Sequence, residues 1–86
     1  MTKFDYTIKD PIGIHARPAG NLAKLAKSFA DAVVTLTKGD MTVKASQLMK
    51  VMSMGIKCGD QITVGVEGGD EAGVADALRK FFEENL

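Results

Sequence analysis

Eighty-six residues, eleven basic and eleven acidic side chains, a formal net charge of zero and one cysteine describe one small domain spanning the chain. A balanced charge argues against bulk nucleic-acid binding, which needs a basic excess, though it leaves room for a local basic patch. Lone Cys58 excludes an intramolecular disulfide and suits a reducing cytoplasm, one histidine is too few for a zinc site, and neither a membrane span nor a signal-peptide run is present.

Phe4, Tyr6 and Ile8 alternate with Asp5 and Thr7, which predicts a half-buried strand that Asp10-Pro11 breaks. Leu22, Leu25, Ala26 and Phe29 then follow helical spacing, predicting a helix from about Ala16 to Phe29. β-Branched Val33 to Thr37 reads as a second strand, joined by Lys38-Gly39-Asp40 to a third at Met41 to Lys44. Ser46 is a good N-cap for a short helix through about Met54, closed by Gly55. Its methionines (Met49, Met52 and Met54) fit either core filling or an adaptable partner surface. Ile62, Val64 and Val66 alternate with polar residues or glycine as a fourth strand. Gly68-Gly69 turns the chain. Asp70 caps a final helix whose apolar face is Val74, Ala75, Leu78, Phe81 and Phe82. The order is β-α-β-β-α-β-α. A helix between the first two strands predicts that they run parallel with another strand between them, with the helices on one face.

The only histidine, His15, sits where this pattern turns from strand to helix. Pro18 is compatible with a helix only in its first turn, where the missing N–H has no partner to lose. That sets His15 at or near the N-cap, with Ala16 and Arg17 opening the helix. Unpaired backbone N–H groups and a guanidinium there favour a neutral imidazole near pH 7 and stabilise added negative charge. These are the parts needed to accept a phosphoryl group on nitrogen and hold it. A lone histidine is more often a surface residue with no chemical duty, and a stripe of Arg17, Gly20, Lys24 and Lys27 is more often a solvated face.

The segment Gly13-Ile14-His15-Ala16-Arg17-Pro18-Ala19 resembles the active-site signature of the HPr family, histidine-containing phosphocarriers of the bacterial phosphotransferase sugar-uptake system. Val51-Met52-Ser53-Met54-Gly55, the strand pattern over 61–67 and the chain length carry the resemblance over essentially the whole sequence. It implies an α+β open-faced sandwich, a four-stranded antiparallel sheet covered on one face by three helices. It implies a carrier rather than a turnover enzyme, with no cofactor or metal. His15 would be phosphorylated at Nδ1, and Arg17 with the Ala16 and Arg17 amides would hold the group. The donor would be Enzyme I charged by phosphoenolpyruvate, and the acceptors IIA domains of sugar permeases. Ala16, Gly20, Lys24, Lys27, Gln47, Leu48, Met49, Lys50 and Met52 would form the docking surface, an apolar centre with a cationic rim.

Many Gram-positive members carry a regulatory serine at the start of the second helix, phosphorylated by HPr kinase. Alignment on Val51-Met52-Ser53 sets Gln47 at that position and Ser46 one residue earlier, where a lysine is common. On that register Ser46 reads as an N-cap, and HPr kinase is a doubtful partner. A regulatory HPr-like binding module, and an unrelated α/β sandwich binding nucleic acid or metal, are the competing readings. Retention of His15 disfavours the first, and the balanced charge and single histidine disfavour the second.

Overall fold

The computed structural model describes residues 2–14 and 16–86. In chain order the elements are β1 (Thr2–Thr7), α1 (Ala16–Ser28), β2 (Val33–Lys38), β3 (Met41–Lys44), α2 (Leu48–Ser53), β4 (Gln61–Glu67) and α3 (Glu71–Asn85). The strands form one four-stranded sheet in the order β1-β4-β2-β3. Each neighbouring pair is antiparallel, so β1 and β2 run parallel with β4 between them, as the sequence pattern requires.

Register follows the alternation of side chains. Phe4, Val64, Leu36 and Val43 stand side by side across all four strands, and all four are buried. The next row, Asp5, Thr63, Thr37 and Thr42, faces away. There the Thr63 hydroxyl donates to Asp5 Oδ1 at 2.7 Å, and the Thr37 and Thr42 hydroxyls share a bond at 2.9 Å. One face is therefore core and the other polar. The β2–β3 hairpin turns on Gly39-Asp40, with Gly39 at φ +59°.

The helices cover the apolar face. α1 buries Pro18, Ala19, Leu22, Ala23 and Ala26, and packs against α2. α3 buries Val74, Ala75, Leu78 and Phe82 against β1 and β4. Leu25, Phe29 and Phe81, expected in the buried faces, are half-buried and packed on the rim of the core. The Asp70 side chain accepts from the Gly73 amide at 3.2 Å, capping α3 as expected.

α2 starts one residue later than the composition suggests. Its N-cap is Gln47, not Ser46. The Ala45 amide still reaches the Val34 carbonyl at 2.9 Å, and the Gln47 amide donates to the Lys44 carbonyl at 3.0 Å. Those two bonds set Ala45 and Ser46 at the centre of a turn, so the first helical bond is Val51 N–H to the Gln47 carbonyl. Among the described residues the Ser46 hydroxyl has no hydrogen-bond partner, so it is not a cap. The methionines divide: Met54 is 6% exposed in the core, whereas Met49 and Met52 are 76% and 39% exposed.

Candidate functional site

His15, on which the sequence reading centres, lies outside the described residues, and with it the expected N-cap role. Its sequence neighbours on both sides are anchored. On the N-terminal side, Asp10 organises a turn. Its carbonyl accepts the Gly13 amide at 2.9 Å and its Oδ1 accepts the Ile12 amide at 2.8 Å. Pro11 occupies the second position of that turn, where its fixed φ suits the bend. The Leu86 carbonyl accepts both the Lys9 and Asp10 amides, at 2.6 and 2.8 Å.

Gly13 is required where it stands. Its φ is +81°, and a Cβ there would collide with the Ile56 carbonyl oxygen and the Cα of Lys57. This close approach lets the Ile14 amide donate to the Ile56 carbonyl at 3.1 Å, while the Ile14 side chain is buried in the core. On the other side of residue 15, α1 begins at Ala16. The first turn of a helix leaves its N–H groups without intrahelical partners. Pro18 contributes none, which leaves the Ala16 and Arg17 amides as donors. No acidic residue lies in that turn to compete for them.

Ala16 and Arg17 are exposed and Pro18 is buried. Arg17 borders a surface groove of about 300 Å³ with Asp10, Pro18, Asn21, Glu84 and Asn85. Arg17 is exposed there, in a groove that Asp10 of the β1–α1 segment and Glu84 of α3 also line.

Lys24 and Lys27 on α1, and Gln47, Met49, Lys50 and Met52 at α2, are exposed on two helices that pack together. Gly20 is half-exposed with open space beside its Cα. Leu48 is half-buried against the core, so it presents only part of its side chain. The structure adds Ile12, 69% exposed on the turn before Gly13. An apolar residue inside a turn has no core to enter, and that is the signal by which the sequence would have revealed it. Glu84 beside Arg17 carried no such signal, because only the fold brings α3 near the head of α1. Among the described residues no group of three or more His, Cys, Asp or Glu side chains is arranged to hold a metal ion. No helix among them is long and apolar enough to cross a membrane.

The profile of the family described as "PTS HPr component phosphorylation site" matches residues 2–84. The chain is 36% identical over 85 residues to phosphocarrier protein HPr of Mycoplasma genitalium, covering 99% of this chain and 97% of that protein. It is 36% identical over 77 residues to the multiphosphoryl transfer protein of Xanthomonas campestris, covering 90% of this chain and 9% of that one. Its fold matches the crystal structure of HPr from Thermoanaerobacter tengcongensis with a TM-score of 0.89 at 31% identity, covering 96% and 92% of the two chains. The β-α-β-β-α-β-α sandwich, the glycine-anchored entry to α1 and these likenesses converge, and the chain belongs to the HPr phosphocarrier family of the phosphotransferase system.

Proposed function

We propose that this chain accepts a phosphoryl group on His15 from phosphorylated Enzyme I and passes it to IIA domains of sugar permeases. The observation that carries this reading is the anchoring on either side of position 15. Ile14 is tied to Ile56 at 3.1 Å, and Ala16 and Arg17 open a thirteen-residue helix, in whose first turn the N–H groups have no intrahelical partner. In the transfer, the lone pair of imidazole Nδ1 forms a P–N bond as the bond from phosphorus to the donor breaks. The incoming dianion is stabilised by the Ala16 and Arg17 amides, the helix dipole and the Arg17 guanidinium. The same bond breaks when the next histidine takes the group, so the chain is a stoichiometric carrier and not a turnover enzyme. The exposed thiol of Cys58 suits a reducing compartment, and the reading assigns the chain to the cytoplasm.

Partners would dock over α1 and α2, with Met49, Met52 and Ile12 as the apolar centre and Lys24, Lys27 and Lys50 as the cationic rim. Incubation with phosphoenolpyruvate and Enzyme I, followed by intact-mass measurement, tests the proposal. One acid-labile phosphoryl group is expected, absent in His15→Ala and acquired more slowly in Arg17→Lys. Labelling that survives His15→Ala overturns the assignment.

A further inference from the structure

Lys38 ends β2, far in sequence from residue 15, yet its ammonium reaches both ends of the loop that supports the candidate site. It lies 2.8 Å from Asp60 Oδ2 and donates to the Gly55 carbonyl at 3.2 Å. One cation thus ties together the two ends of the loop over residues 55–60. Asp60 closes the loop from within. Its carboxylate accepts the Lys57 amide at 2.8 Å, and its own amide donates to the Lys57 carbonyl at 3.0 Å. The loop is also stitched to the end of β1, with Gly59 N–H to the Ile8 carbonyl at 2.7 Å and Ile8 N–H to the Asp60 carbonyl at 2.9 Å. Ile56 and Lys57, in the middle of this loop, are the atoms against which Gly13 is pressed, and the Ile56 carbonyl receives the Ile14 amide.

We propose that Lys38 and Asp60 are positioning residues for phosphoryl transfer, bracing the loop that sets the backbone immediately before the phosphoryl acceptor. The inference rests on the reading of His15 as that acceptor. The pair is half-exposed, and an isolated pair of this kind adds little to global stability. Its effect is local: it limits displacement of the Ile56 carbonyl, and with it of Ile14. Small displacements of a reacting group are costly, about a hundredfold in rate for 1 Å. The carboxylate of Asp60 is held below its ordinary range by the bond from Lys38 and then by the Lys57 amide, so it remains an acceptor for both at neutral pH.

The test combines single-turnover phosphorylation by Enzyme I with amide hydrogen exchange on the full chain. Lys38→Ala and Asp60→Asn should each lower the saturating transfer rate, by about tenfold, with the half-saturating Enzyme I concentration unchanged. Lys38→Arg, which keeps a cation able to reach both oxygens, should restore most of the rate. Exchange at the Ile14 and Lys57 amides should accelerate in Lys38→Ala, with the Phe4 and Val64 amides unaffected. Wild-type transfer rates in Lys38→Ala and Asp60→Asn overturn the positioning role, as does unchanged exchange at Ile14. A rate loss that Lys38→Arg does not rescue also overturns it. Failure of the unaltered chain to be labelled overturns the carrier reading, and the positioning role with it. Labelling of the unaltered chain with equal rates in the variants overturns the positioning role alone.

Discussion

The Tyr6 hydroxyl donates to the Phe82 carbonyl at 3.0 Å while the two rings lie 5.4 Å apart between centroids, tilted by 32°. Phe82 is fully buried and also meets Phe4 edge-on at 6.2 Å, so this cluster fastens α3 to the β1 edge of the sheet. The Phe82 carbonyl accepts the Leu86 amide as well, so it keeps a partner if Tyr6 loses its hydroxyl. Tyr6→Phe should therefore cost only about 0.5–1.5 kcal/mol. Burial, and secondarily Glu83, raises the Tyr6 phenol above its ordinary value of 10.0. A raised acid keeps its proton longer in the folded state. Its contribution is whole below 10.0 and is lost as pH rises through the folded value. Urea unfolding across alkaline pH should show that loss in the native chain and a flatter limb in Tyr6→Phe.

The acid limb has the opposite sign. The Glu71 carboxyl is lowered from its ordinary 4.5, first by the Gly68 amide and then by the Thr2 hydroxyl, each at 3.0 Å. Its contribution is present above 4.5 and is lost as pH falls through the folded value. Glu71→Gln should make acid unfolding, followed by circular dichroism, less steep in that window.

Two glycines near the site should respond in opposite directions. Gly13 combines φ +81° with backbone contact at residues 56 and 57, so Gly13→Ala should cost about 2 kcal/mol or more. Gly20 has ordinary helical backbone and nothing within 4 Å of an added Cβ. Gly20→Ala should stabilise by about 0.5–1 kcal/mol. Denaturant midpoints measured on both variants decide this.

The proposed docking surface should separate into steering and anchoring parts. Neutralising Lys24 and Lys27 together should lower the association rate with Enzyme I most at low salt, because screening removes long-range attraction. Met49→Ala should instead speed dissociation, since it deletes exposed apolar surface from the patch centre. Stopped-flow binding at two ionic strengths distinguishes the two effects, and a salt-independent lysine effect would exclude steering.

Gln47 holds the N-cap of α2 with no side-chain bond to the helix. Gln47→Ser should add such a bond and stabilise the chain by about 0.5–1 kcal/mol. It also presents a hydroxyl at the helix start. With ATP and an HPr kinase, the unaltered chain should be labelled poorly and Gln47→Ser appreciably. Efficient labelling of the unaltered chain at Ser46 would show that a turn serine is an adequate substrate.

Much of this molecule is legible without coordinates because its strongest signals are periodic. Alternation in Phe4–Ile8 and Ile62–Val66, helical spacing in α1 and α3, and Asp70 before the last helix are local consequences of backbone geometry, and each element forms where it predicts. The glycine and proline around residue 15 likewise announce a sharp entry into a helix. What the local pattern could not decide depends on which distant segments meet. Ser46 is a better cap than Gln47 by composition, but the bond from Ala45 to Val34 holds the chain to the sheet one residue too long for it to serve. The three methionines of the α2 region are equivalent in sequence, and only packing sends Met54 inward and leaves Met49 and Met52 outside. Lys38 and Asp60 are ordinary surface charges until the sheet sets the end of β2 beside the loop before β4. Periodicity is a property of one segment, whereas a cap, a buried methionine or a brace is a relation between two, and tertiary structure alone supplies the second partner.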